Sequence, residues 1–457
     1  MIMFTWKKAS SFAISCMLIV LLAACGGGNN EKTVDTAQNS GSVKPAETVK
    51  PTESAKPKEP FALSVYAAAM TQEEFDKRYG EALKKKFPHI TFTFLTNTPG
   101  NKIEEMVPRG EIPDLIKTDL PTFKVRYLDL GLGEDLNPYI AKYKYDLTRF
   151  NISFIQELKD YAGDGKLYGL PMPAYLPSVL YYNKTLFDKF GIAYPKDGMT
   201  FDEVYELAKK MTRTEAGTTY RGFSANLNSV LRENPFSLPV LDPTADKLAV
   251  PEKWQQLFTN LKRFYEIPGN TFNKTLADEA NAFAGGNVAM AINQFSTLLK
   301  MPDTFEWNMV AVPTLEGAPK RTIQRGPAYW TIAKTSKYKD EAFEVMMAML
   351  SDEMQLNDSK QGLPPTVNKK EIIDALGTEH PVFKTKNLKA ISFYPPTDPT
   401  PRRSGSVFDL DPILQFTPLS NNFIEYVLGK VDVNTALRTT EEQVLKKLAE
   451  EKAKVKK

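Results

Sequence analysis

Little in this chain has the spacing of a catalyst. Only two histidines occur in 457 residues, which leaves imidazole chemistry few candidates. His89 follows Pro88 at the entrance of a strand-like run and His380 precedes Pro381 in a loop, and neither has the spacing of a metal site. No Gly-x-Ser-x-Gly or phosphate-loop pattern is present in the sequence. The carboxylate pairs Glu73-Glu74 and Glu104-Glu105 fall on helix faces that read as solvated charge. A glycosidase needs two carboxylates about 5–9.5 Å apart across a sugar, a geometry that one sequence leaves open. What remains is binding chemistry: aromatic rings and short polar side chains just beyond strand-like runs, and one cysteine in unusual company.

That cysteine is Cys25, in VLLAACGGGNN. Lys7 and Lys8 precede an apolar run from Ala9 to Ala24, roughly 16 residues against the about 20 of a spanning helix. The run therefore reads as an export signal rather than a membrane span. Leu22-Ala23-Ala24-Cys25 resembles the lipobox of bacterial lipoproteins, which implies cleavage before Cys25 and acylation of its thiol. The alternative is an ordinary secretory signal with an incidental cysteine. Two or three acyl chains, at about 0.8 kcal/mol per buried CH₂, would hold the chain firmly to a membrane. Cleavage would also remove Cys16, the only other cysteine, and with it any disulfide within one chain.

The formal charge is +3 at pH 7, and two of the positive charges lie in the signal, so the remaining chain is nearly neutral. A nucleic-acid binder would gather a basic excess on one face, and none is gathered here; the mixed tail KKLAEEKAKVKK reads as a solvated helix end. From Gly26 to Pro60 almost no large apolar residue occurs, so this segment should form an extended, disordered stalk. Beyond it, 42% hydrophobic residues over several hundred positions predict a large folded body of two lobes.

That body opens as β-α-β. FALSVYAAA is a short strand, Thr71 to Glu74 a capping box, EEFDKRYGEALKKKF a helix, and HITFTFLT an alternating strand. IPDLIKTD (112–119) predicts the next strand and LPTFKVRYLDLG the next helix. Thr200 to Glu203 is a second capping box, helices are expected at 252–267 and 275–284, and strands at 287–292 and near Tyr329 to Ile332. Further helices are expected after Lys339 and after Thr417. Asp164-Gly165 marks a turn, Asn183 a cap before KTLFDKF, and Gly285-Gly286 a helix end. Alternating elements of this kind imply α/β layers.

In order and spacing, these segments resemble extracellular solute-binding protein family 1 of ABC importers, in its Gram-positive lipoprotein form. The carriers are YGEALKKKFPHITFTF with IPDLIKTD, DGKLYGLPMPAYLPSVLYYNKTLFDKFGIAYP, MTFDEVYELAKKMT, NAFAGGNVAMAINQFSTL, VAVPTLEGAPKRTIQRGPAYWTIAKTSKYKDEAFEVM and IEYVLGKVDVNTALRTTEEQVLKKL. The resemblance implies a periplasmic-binding-protein-like α/β fold of type II, two lobes joined by hinge strands around a ligand cleft. The expected division is a signal at 1–24, the lipidated cysteine and stalk at 25–60, lobe 1 at 61–174 and 313–361, and lobe 2 at 175–312 and 362–457. It implies no enzyme activity, no cofactor and no metal. Its partners would be a small solute, separate permease and ATPase chains and, through lipid on Cys25, the outer face of the cell membrane. The protein would act as a monomer and bind no nucleic acid.

In open α/β sheets ligands sit beyond the carboxyl ends of strands, which singles out Tyr66 to Met70 and Thr118 with Asp119. Asp119 either accepts from ligand hydroxyls or caps the next helix. Tyr175, at the first crossing, faces the cleft or packs in the hinge. The resemblance adds Asn293, Gln294 and Phe295, of which Phe295 could equally be core. It also adds Arg325, Tyr329 and Trp330, where Pro327 stands in place of the family's second glycine and Trp330 is a stacking platform or a core residue. In PRRSGSVF, Arg402 and Arg403 could clamp a carboxylate or phosphate or simply be exposed, with Arg403 the expected contact. Rings beside polar forks suit sugars, so an oligosaccharide is the expected solute, with restraint from only 4 tryptophans. The rival functions are a two-lobe sensor or scaffold lipoprotein and a surface glycoside hydrolase.

Overall fold

Most strand-forming segments in this chain are short and apolar, and apart from one exposed hairpin they pair into two separate mixed sheets. The computed structural model describes residues 59–173, 177–322, 326–398, 400–403 and 407–455. The signal, Cys25 and the stalk up to residue 58 lie outside the described residues. In chain order the strands are β1 (Phe61–Ala67), β2 (Ile90–Leu95), β3 (Leu115–Asp119), β4 (Gly169–Met172), β5 (Ser178–Asn183), β6 (Arg213–Glu215), β7 (Thr218–Tyr220), β8 (Ser224–Ala225), β9 (Met290–Gln294), β10 (Trp307–Ala311) and β11 (Ala328–Ile332).

The first sheet has the order β2-β1-β3-β11-β4. β1 runs parallel to β2 and β3, whereas β11 lies antiparallel between β3 and β4. The second sheet has the order β10-β5-β9-β8, with β5 antiparallel to both neighbours and β8 parallel to β9. β6 and β7 form a small exposed hairpin. All six residues of β5 and all five of β11 are buried, because helices cover both faces of each sheet. Each sheet organises its own apolar core, the first around Trp330, Phe123 and Phe343, the second around Trp254, Phe258 and Phe423. This is the two-lobed α/β architecture that the sequence predicts. Val312 and Leu315 pack with the second core while Ala328 belongs to the first, so the chain returns between them.

Local signals held the helix ends in place. Glu203 N donates to Thr200 Oγ1 at 3.2 Å and Thr200 N donates to Glu203 Oε2 at 2.7 Å, a complete capping box opening Phe201–Met211. Asn183 accepts from Leu186 N at 3.1 Å and starts Lys184–Phe190. Thr71 accepts from Glu74 N at 3.1 Å, but the Glu74 carboxylate turns to Arg78 instead of closing the box. The helix expected to be continuous after Thr71 is interrupted by a wider π-type turn at Asp76–Gly80, which brings Arg78 and Tyr79 inward. The helix expected after Thr417 begins earlier, at Pro412, capped by Asp411. Pro418 lies within it rather than at its start, and Leu419 and Phe423 pack in the second core. No helix among the described residues is long and apolar enough to cross a membrane.

Candidate functional site

Strand directions put the strand ends of each sheet on the edge from which the chain leaves for, or enters from, the other sheet. β1, β2 and β3 end, and β11 begins, on the edge of the first sheet where β4 also ends at Met172. β5 begins at Ser178, a few residues later, on the edge of the second sheet where β8, β9 and β10 end. Met172 and Ser178 are only six positions apart, so these two rows of strand ends are near one another along the chain, at the carboxyl ends where ligands of open α/β sheets sit.

The expected site residues divide sharply on this frame. Gln294 is the last residue of β9, half-buried at that edge, and its Nε2 has no acceptor among the described residues. Asn293 beside it is committed to structure: its Nδ2 donates to Ala280 O at 2.8 Å and its Oδ1 accepts from Asn226 Nδ2 at 3.2 Å. Asp119 ends β3 at the edge of the first sheet, and its carboxylate makes no capping bond to the helix Leu120–Phe123. Thr118 is buried. Tyr175 and Arg325 lie outside the described residues, as does Cys25.

Five expected contacts are turned away from the edge. Tyr66 packs in the first core, where burial pushes its phenol above the usual range; the exposed residues after β1 are Ala68 and Ala69. Phe295 packs in a satellite cluster of the second lobe, and its carbonyl accepts from Tyr181 OH at 2.7 Å. Tyr329 is buried with its hydroxyl donating to Phe154 O at 2.8 Å. Trp330 is 0% exposed and meets Tyr79 edge to face, so it is a core residue and not a stacking platform. The reason is common to the last two: β11 is an inner strand covered on both faces. Arg403, 6% exposed, donates to Phe408 O, Asp242 O and Ala245 O at 2.7 to 2.9 Å and pairs with Asp246. With its fork filled by its own chain, it staples the 242–246 turn and is not free to clamp an anion.

Other residues take their place. β8 leads directly into Asn226, whose Oδ1 caps Leu227–Arg232 by accepting from Ser229 N. Asn228 and Arg232 of that helix, Trp254, and Arg402 with Asp409 line a cavity of about 340 Å³. Tyr161 closes it from the helix Ile152–Ala162, which packs on the first core. The Arg402 guanidinium lies 4.2 Å from the centre of the Tyr161 ring and pairs with Asp409. Burial pushes the Tyr161 phenol and the Asp409 carboxyl above their usual ranges, against the opposite pull of Arg402 on both. Both lobes thus wall one cavity of the size that holds a small ligand. The sequence hid it because β8 is two residues long and shows no alternation, while Tyr161 sits on a helix rather than after a strand.

A family model of bacterial extracellular solute-binding proteins matches residues 78–385, two thirds of the chain and most of both lobes. The chain belongs to this family. No curated protein sequence matches it. Among solved structures, an ABC substrate-binding protein from Listeria monocytogenes in complex with cycloalternan is 20% identical, with a TM-score of 0.67 over 86% of this chain and 100% of that one. The sugar-binding protein MalE from Xanthomonas citri is 16% identical, with a TM-score of 0.66 over 87% and 100%. The GacH receptor of Streptomyces glaucescens, solved unliganded and with acarbose, is 16% identical, with a TM-score of 0.64 over 86% and 99%. At these identities the likeness is one of fold. Membership of the solute-binding family supports solute capture, and makes the cleft the site to consider.

Proposed function

We propose that this solute-binding protein captures an oligosaccharide between its lobes, closes on it by hinge motion, and delivers it to the permease of an ABC importer. The observation that carries this reading is the pair of strand edges, with the Gln294 amide, unpartnered among the described residues, at one and Asp119 at the other, together with a cavity that residues of both lobes line, closed by the Tyr161 ring. A ring beside hydrogen-bonding groups suits a sugar, whose C–H face packs on the aromatic while its hydroxyls are matched. Closure requires contacts that both lobes make at once, since only differential binding shifts an open–closed equilibrium. The saccharides bound by the structural relatives are consistent with this solute class. Tyr175 and Arg325 complete the proposed contact set, and the permease and ATPase are separate chains.

Thermal shift and calorimetry against malto- and manno-oligosaccharides, amino acids and short peptides test the proposal, because a ligand selective for the native state raises its apparent stability. Binding by a sugar series alone is expected. The Gln294→Ala variant should then bind about 3- to 10-fold more weakly, the loss of one hydrogen bond of roughly 0.5–1.5 kcal/mol. Solution scattering should show compaction with the bound sugar; binding with no change in dimensions would remove the closing step.

The proposed tether is lipid on Cys25 after cleavage of residues 1–24. Mass spectrometry of the membrane-extracted protein should show an N-terminal peptide beginning at Cys25 with added acyl mass, and Cys25→Ser should move the protein into the medium. An unmodified Cys25 peptide would refute the tether and leave sugar binding untouched.

A further inference from the structure

A second cavity, of about 1260 Å³, lies where segments leaving the two sheets come together. One wall is the helical stretch 72–86, which the chain enters just after β1 ends. Another is the turn Phe295–Lys300, which follows Gln294 at the end of β9 and contributes Leu299, 59% exposed. The helix Asp352–Lys360 and His380 complete it. Both lobes therefore wall this crevice beyond the carboxyl ends of β1 and β9, the general place for a ligand in open α/β sheets. Its volume exceeds the about 300–1,000 Å³ of small-ligand pockets and leaves room for several sugar units.

The surroundings of His380 fix both the plane and the tautomer of its ring. The imidazole lies flat on Phe383, with 3.6 Å between centroids and 9° between planes. Nδ1 accepts from Val382 N at 3.3 Å and from Phe383 N at 3.2 Å, so the proton of the neutral ring sits on Nε2. Partial burial, aided by the charge of Lys77, pushes the imidazole below its ordinary range and favours that neutral form. Nε2 makes no hydrogen bond among the described residues and, unlike Nε2 of His89, is not sealed from solvent. The crevice thus holds one oriented N–H donor that its own chain leaves unused. Charge narrows what that donor would meet. Six carboxylates and three cations line the crevice, and one of those cations, Arg78, is already paired with Asp358. An anionic solute would be repelled there, whereas a hydroxyl or ring oxygen of a neutral sugar accepts from an imidazole N–H without that penalty.

Resting on the oligosaccharide reading above, we propose that His380 contacts the solute, donating from Nε2 to an oxygen of a neutral saccharide held in this crevice. Magnetic resonance of the full chain with isotope-labelled histidine tests it, using trimers of glucose and of mannose, neutral or uronate-bearing. The sequence has only two histidines, so His89→Gln assigns both rings. At saturation with a neutral trimer the Nε2 signal of His380 is expected to shift while that of His89 stays. In calorimetry His380→Asn, whose Oδ1 can replace Nδ1 as the acceptor in the turn but which leaves nothing at Nε2, should bind that trimer about 3- to 10-fold more weakly. Should His380→Asn fail to fold, the Nε2 signal of the unsubstituted protein decides. An unshifted signal, or undiminished affinity in the variant, would reduce His380 to a turn-former and leave sugar capture standing. Tighter binding of a uronate trimer than of its neutral counterpart would overturn the neutral class. Silence from every trimer would remove the contact and the oligosaccharide reading together.

Discussion

Replacing Arg78 by methionine should destabilise the protein by about 3–5 kcal/mol, the usual cost of leaving one member of a buried ion pair without its partner. Arg78 and Asp358 are 8% and 7% exposed, and the guanidinium grips the carboxylate with both arms, Nε to Oδ1 at 3.0 Å and Nη2 to Oδ2 at 2.7 Å. The same Nη2 donates to Pro173 O at 3.1 Å, the last described residue before the chain crosses between the sheets. The loss should depend on pH. Burial already pushes the Asp358 carboxyl above its ordinary value, with Arg78 pulling the other way. Without Arg78 the folded-state value rises further above the unfolded one, so the variant's stability is greatest below the unfolded carboxylate range near pH 4 and is lost as pH rises through the folded value. Denaturant unfolding at pH 5 and pH 8 should therefore show the larger deficit at pH 8. The double variant Arg78→Met/Asp358→Leu should recover most of it, because an apolar pair leaves no charge buried. A single-variant loss below about 1 kcal/mol would mean that the pair is far more hydrated than its exposure indicates.

Trp330→Ala should cost a similar amount, about 3–5 kcal/mol, as expected for a large aromatic removed from a packed core. Trp330 sits opposite Lys117 of β3 and Leu170 of β4, and its ring meets Tyr79 at 6.4 Å between centroids. Surrounding side chains can refill only part of the space, so the cavity term adds to the lost transfer energy. The measurement that separates core from cleft pairs unfolding with binding. The variant should unfold at lower denaturant yet bind solute with unchanged affinity at temperatures where it remains folded. Normal stability with abolished binding would return Trp330 to the cleft.

The misplacement of Trp330 shows where sequence reasoning stopped. AYWTI has buried residues at every position, because an inner strand covered on both faces has no solvent side and so no alternation to read. Tyr329 and Trp330 point to opposite faces, and both faces are core. Arg402 and Arg403 make the same point with charge. The two are neighbours in sequence, yet Arg402 lies on Tyr161 at the cavity, and Arg403 is spent on carbonyls and an aspartate some 160 residues away. The place of Gln294 at a strand end was legible, because it follows a recognisable apolar run. β8 was not, since two residues carry no period.

By itself the sequence determined what short-range physics decides: the alternation of strands and helices, the capping box at Thr200, the Asn183 cap, and the left-handed glycines at 165 and 286 that turn the chain. Each depends on hydrogen bonds or backbone angles within a few residues, so the pattern is visible in one line of text. Tertiary structure alone decided which aromatics became core, which arginine came to lie on the Tyr161 ring, and that Arg78 would meet Asp358 across 280 positions. Those outcomes depend on which surfaces the two sheets bury against their helices, and burial is a property of the assembled fold rather than of any segment.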